Sequence, residues 1–122
     1  MPRYSAMLMD HFNAPRNAGH MDRADVVGKA SLDGRAPYIS IFLKLDGDVI
    51  TKASFQAFGC GVTIAACSLL THLITGQSVS RSANMTGDEL VQALDIPSDK
   101  RFCAELALAA LQNALTQLAE DA

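Results

Sequence analysis

No basic block and no stripe of Arg or Lys marks this 122-residue chain: ten cationic side chains stand against thirteen acidic ones, a net charge of −3. Binding to a phosphate backbone or an anionic bilayer draws on clustered positive charge, so neither nucleic acid nor membrane is expected as a partner. Long apolar runs are missing as well. None reaches the roughly 18 residues of a membrane span, and the polar residues Tyr4, Ser5 and Asp10 sit where a secretory leader would be apolar. A cytoplasmic protein is expected. Cysteines are few and odd in number, three in all with no C-x-x-C pair. That count fits reduced thiols better than a secreted disulfide framework, and it gives no support to a zinc finger or thioredoxin-type site. Nucleophile elbow, phosphate-cradling glycine loop and dinucleotide fingerprint are all absent, and neither His20 nor His72 has an acid–base partner nearby in sequence. The chain is therefore not expected to be an enzyme. Repeats, low-complexity segments and linkers are lacking too, so residues 1–122, 49% hydrophobic, are expected to form one domain with a core that needs no staples.

What is present is periodic. Tyr4, Met7, Leu8, His11 and Phe12 recur at helical spacing and predict a short amphipathic helix that ends before Pro15, with His11 on its edge. Asp22 to Pro37, with Gly28, Gly34 and Pro37, reads as a loop with at most an edge strand at Val26-Val27. Ser40 to Leu45 alternates, Ile41, Leu43 and Leu45 opposite Phe42 and Lys44. Val49 to Phe58 alternates again, Ala53, Phe55 and Ala57 opposite Lys52, Ser54 and Gln56. With the Asp46-Gly47-Asp48 turn between them, the two runs predict an antiparallel hairpin with one wet face. Val62 to Thr75 is apolar on most sides and predicts a core helix stopped by Gly76. Ser78 to Ala83 reads as a polar connection, Thr86 and Glu89 have capping-box spacing ahead of a short helix, and Pro97 follows it. The last helix, capped by Ser98 or Asp99, is expected to reach about Leu118 and to pack through Leu108, Leu111, Leu115 and Leu118. Helix, strands and three more helices in that order indicate an α+β fold.

Two cysteines stand at predicted helix starts. Cys60 lies between Gly59 and Gly61 just past a strand, and Cys103 falls in the first turn or so of the last helix. A helix N-terminus favours thiolate over thiol. The flanking glycines leave the backbone free to take positive φ and keep bulk away from the sulfur. Cys67 shares a stripe with Ile64, Leu70 and Ile74 and reads as a small buried hydrophobe. Taken alone, the pair fits a metal or cluster site, a persulfide carrier, or packing. An iron–sulfur cluster or a zinc ion asks for four donors, so two cysteines supply half.

Three segments carry a resemblance that covers nearly the whole chain. Asp10-His11-Phe12-Asn13-Ala14-Pro15-Arg16-Asn17-Ala18-Gly19 resembles the D-H-Y/F-x-x-P-R-N-x-G signature of the IscU/NifU-type iron–sulfur cluster assembly scaffolds. Phe55-Gln56-Ala57-Phe58-Gly59-Cys60-Gly61 is similar to that family's F-x-x-Y/F-G-C-G strand and loop, and Ile64-Ala65-Ala66-Cys67-Ser68 to the helix that follows. Cys103 lies where the family carries its last cysteine. The resemblance implies a small three-stranded antiparallel sheet packed against helices, with Cys60 and Cys103 converging at one end. It implies a scaffold or carrier for a [2Fe-2S] cluster, or for an iron or zinc ion, with Cys60 and Cys103 as thiolate ligands. A homodimer sharing one cluster would supply four thiolates. The implied partners are a cysteine desulfurase, with Cys103 as sulfur acceptor and Cys60 as relay, and cluster-recipient proteins.

The departures are as informative. The family's A-x-C-G-D loop corresponds here to Ala36-Pro37-Tyr38-Ile39-Ser40, so a tyrosine and a serine stand at the usual first cysteine and its aspartate. Phe102 occupies the position of the histidine before the last cysteine. In the chaperone-recognition segment L-P-P-V-K, now Ile96-Pro97-Ser98-Asp99-Lys100, the second proline and the valine are lost, which counts against docking of an Hsp70-type chaperone. The alternative reading is a persulfide-accepting sulfur-transfer or regulatory relative that builds no cluster. A third is a fold-only paralogue whose cysteines are buried remnants.

Overall fold

The computed structural model describes residues 4–121. Of the amino-terminal stretch read for a leader, Met1, Pro2 and Arg3 lie outside the described residues.

Helix α1 spans Ala6–Asn13, and the Ser5 side chain caps it by accepting the Leu8 N–H. Three strands follow: β1 Val26–Leu32, β2 Arg35–Asp46 and β3 Val49–Phe58. They form one antiparallel sheet in the order β1-β2-β3. The segment Asp22 to Pro37 is therefore not a loop. Its Asp33-Gly34 pair, both at positive φ, makes the two-residue turn that a right-twisted hairpin favours. Alternation is weak on β1 because Gly28 and Ala30, small residues, fill its core face.

Helix α2 (Gly61–Ile74) packs on β3, and α5 (Arg101–Asp121) packs on β1 and β2. Between them come α3 (Val79–Ala83) and α4 (Gly87–Leu94), the latter capped by Thr86. Ile39, Ile41, Leu43, Ala53 and Phe55 bury the core face of the sheet against these helices. The opposite face carries Lys44, Lys52 and Gln56; of its large apolar residues, Phe42 is buried with its ring edge-to-face against His20, whereas Phe58 is exposed. Among the described residues no helix is long and apolar enough to cross a membrane.

Two sequence expectations need correction here. Helix α5 does not pack mainly through leucines: Cys103, Ala104, Ala107, Ala110, Leu111, Ala114 and Leu115 are buried, while Leu108 and Leu118 are half-buried. The helix lies so close to Gly28 that a Cβ there would fall 2.0 Å from the Ala110 carbonyl oxygen; only small residues fit that contact. His11 is not a helix-edge residue but is buried, its Nδ1 2.7 Å from Ser68 Oγ. The same hydroxyl accepts the Arg16 N–H, and Asn17 donates to Thr71. Asn17 and Gly19 also bond the outer edge of β3 at Phe55. The amino-terminal motif thus straps α1 and the following turn onto α2 and β3, the strand that ends two residues before Cys60.

Candidate functional site

Strand β3 runs out at Phe58, and Cys60 is the N-cap of α2 in extended conformation. Neither flanking glycine takes a left-handed φ, contrary to the expectation for this loop. Both are demanded by close approach: a Cβ on Gly59 would lie 2.8 Å from Thr63 Oγ1, and one on Gly61 would lie 3.0 Å from the Phe12 ring. Helix α5 brings the second thiol. Cys103 Sγ sits 3.9 Å from Cys60 Sγ, so residues 43 apart in sequence converge at the tip of the sheet.

The two sulfurs differ in surroundings. Cys60 is exposed. Burial works against its ionisation, but the Thr63 N–H and hydroxyl, the Val62 N–H and the Cys103 thiol together outweigh that and hold its pKa below an ordinary thiol's. Cys103 is 0% exposed. Burial pushes it up to about 11, helped by the neighbouring Cys60 and opposed by the Thr63 hydroxyl and Lys100. The expectation that a helix start favours thiolate at both cysteines is corrected for Cys103, because it falls on the inward face of α5. Of the two, Cys60 is the sulfur that gives up its proton more readily, with Cys103 placed to donate its S–H to it. Cys67 is fully buried on α2, and burial raises its pKa far out of the physiological range. It has the packing role expected of it.

A shallow pocket of about 240 Å³ opens over Cys60, walled by Leu32, Ala36, Pro37, Thr63, Lys100 and Phe102. Phe58, 74% exposed, stands beside it in sequence. Tyr38 does not line the pocket; its hydroxyl donates to the Gly34 carbonyl. Ala36 and Pro37, just before it, are the β2 residues that do. Among the described residues no three His, Cys, Asp or Glu side chains converge to hold a metal, so the chain offers a thiol pair and no fuller donor set. Sequence reasoning passed over Thr63, which touches Cys60 Sγ at 3.8 Å. Its signal was available: a hydroxyl three residues past an N-cap faces the capping side chain.

The NifU-like N terminal domain family matches residues 3–121. An iron-sulfur cluster assembly protein IscU of Plasmodium falciparum is 37% identical over 123 residues, covering 96% of this chain and 74% of its own. An iron-sulfur cluster assembly scaffold protein IscU of Rickettsia prowazekii is 36% identical, covering 92% and 88%. Among solved structures, a putative iron-sulfur cluster assembly scaffold protein for the SUF system from Fervidobacterium islandicum superposes with a TM-score of 0.77 at 18% identity. It covers 92% of this chain and 96% of its own. A NifU-like protein (N-terminal) from Brucella abortus gives the same TM-score at 14% identity, covering 97% and 95%. These two likenesses speak for the fold. With a match along almost its full length and curated relatives above one-third identity, the chain belongs to the NifU-like N-terminal domain family.

Proposed function

We propose that this protein is a scaffold or carrier on which an iron–sulfur cluster is assembled, with Cys60 and Cys103 as its thiolate ligands. One observation carries the reading. Metal–thiolate bonds of about 2.3 Å opened to the tetrahedral angle separate two sulfurs by about 3.8 Å, and Cys60 and Cys103 are 3.9 Å apart. An incoming ion displaces the Cys103 proton, as thiol ligands require. The cluster is cargo rather than resident cofactor, and the protein takes part as a platform, not as an enzyme.

Half a donor set must be completed from outside. Two copies facing each other supply four thiolates, enough for one bridging [2Fe-2S] cluster. The apolar rim of Leu32 and Phe102 around Cys60, with Phe58 exposed two residues before it, supports close approach of a second copy. Sulfur arrives from a cysteine desulfurase, and Cys60, the exposed and more readily ionised thiol of the pair, takes it first. The finished cluster passes to recipient proteins. Three free cysteines suit a reducing compartment such as the cytoplasm. An Hsp70-type chaperone is not included, since Ser98 and Asp99 replace the proline and valine of its motif.

Anaerobic reconstitution with ferrous iron and sulfide, followed by sizing, tests the reading. The expected result is a cluster with about two irons per two chains, eluting as a dimer, and lost in both Cys60→Ser and Cys103→Ser. Failure to bind any cluster overturns it. The burial of Cys103 favours the alternative, a sulfur-transfer relative that builds none. That alternative gains if a sulfur adduct forms while iron is never retained.

A further inference from the structure

A thiol held 3.9 Å behind an exposed one has a use apart from ligation. We infer that Cys103 discharges a persulfide formed on Cys60, releasing sulfide and closing a Cys60–Cys103 disulfide. The inference rests on the proposed sulfur-accepting role of Cys60. Its step balances without an outside electron source: the Cys60 persulfide and the Cys103 thiol become a Cys60–Cys103 disulfide and one molecule of hydrogen sulfide. A bond forms between the two Sγ atoms, and the bond from Cys60 Sγ to the outer sulfur breaks. The Cys103 sulfur is oxidised as it enters the disulfide, the outer sulfur is reduced to sulfide, and the Cys103 proton leaves with it. A small or protein dithiol then reduces the disulfide and resets the pair.

Placement favours this course. Thiol–disulfide exchange proceeds by attack of one sulfur on another with a third as leaving group. Cys60 lines the pocket and Cys103 does not. The outer sulfur therefore has room on the pocket side of Cys60, and Cys103 approaches Cys60 Sγ from the buried side, at 3.9 Å. Closing that gap to the roughly 2.05 Å of a disulfide requires a shift of about 2 Å. Cys60 is the first residue outside α2 and follows Gly59, so its side chain can travel without moving a helix. Lys100 on the pocket wall offers positive charge to the departing hydrosulfide. The other cysteine, Cys67, is sealed in the core.

The test uses the full chain, reduced, iron-free and anaerobic, with one equivalent of glutathione persulfide as donor. Intact mass and bromobimane-trapped sulfide are followed together. The wild type is expected to lose about 2 Da, by disulfide formation, and to release about one equivalent of sulfide. Cys103→Ser is expected to gain about 32 Da on Cys60 and to release no sulfide beyond that of Cys60→Ser. Cys103→Ala, which keeps the buried site apolar, repeats the comparison, with circular dichroism confirming that each variant is folded. A wild type that keeps the added sulfur as long as Cys103→Ser, or that carries it on Cys103, overturns the inference and leaves sulfur acceptance standing. If Cys103→Ser takes up no sulfur either, both fail.

Discussion

At Cys60 a single side chain is pulled two ways. Partial burial resists its charge, while the unpaired N–H groups at the start of α2 and the Thr63 hydroxyl favour it, and the favourable side wins. The charge therefore depends on Thr63 in a way that can be measured. Thr63→Ala removes the hydroxyl at 3.8 Å and keeps the helix, so the pH midpoint for alkylation of Cys60 by iodoacetamide should move up. The rate near neutral pH should fall several-fold, with Cys103 unreactive in both proteins. An unchanged profile would assign the charge to the helix end alone. This residue was legible in the chain as a cysteine between two glycines after an alternating run. Its neighbour was not. Nothing in the spacing of Cys103 tells that it points inward, because the leucines of α5 suggested a packing stripe centred elsewhere. The resemblance placed the two sulfurs together without saying which one solvent reaches.

Among the elements, β1 shows how a sheet edge is closed by a helix that also packs on its face. Asn113 on α5 accepts the Lys29 N–H, and Gln117 donates to the Val27 carbonyl, so two groups of the free edge are paired by side chains instead of another strand. Such polar capping needs the helix to lie very close, and Gly28 allows it. A Cβ at Gly28 would fall 2.0 Å from the Ala110 oxygen and 2.6 Å from the Ala114 nitrogen, both backbone atoms that cannot rotate away. Gly28→Ala should therefore cost about 1–3 kcal/mol or more as an overpacked core and lower the melting temperature by roughly 5–10 °C. Thermal unfolding followed by circular dichroism reads it. A melting temperature within a degree of wild type would show that α5 can retreat freely. The hairpin of β2 and β3 was readable from alternation, whereas β1 was readable only at Val26-Val27, since beyond Val26 its core face continues with Gly28 and Ala30, which do not announce a strand. The turn that joins it to β2, Asp33-Gly34, was the missed signal.

On the scale of the whole molecule, the amino-terminal motif acts as a strap, and its buried knot is a histidine. His11 sits 2.7 Å from Ser68 on α2, with the Arg16 N–H on the same hydroxyl. Burial is the main cause that lowers its pKa; the Arg16 and His72 charges add to it, and Asp10 opposes them. The folded state therefore binds this proton less readily than the unfolded chain does. Stability from this site is complete above the unfolded value of about 6.5 and is lost as the pH falls through the lower folded value. Because the segment Asn17 to Gly19, held to α2 through Asn17, bonds the outer edge of β3 at Phe55, five residues before Cys60, loosening the strap also reaches the thiol pair. Melting temperatures measured from pH 8 down to pH 5 should decline by a few degrees over the acidic half of that range. His11→Asn should melt lower at neutral pH, having lost its fit to Ser68, yet show a flatter profile, having nothing to protonate there. Equal slopes in the two proteins would place the pH sensitivity elsewhere and leave His11 as packing alone.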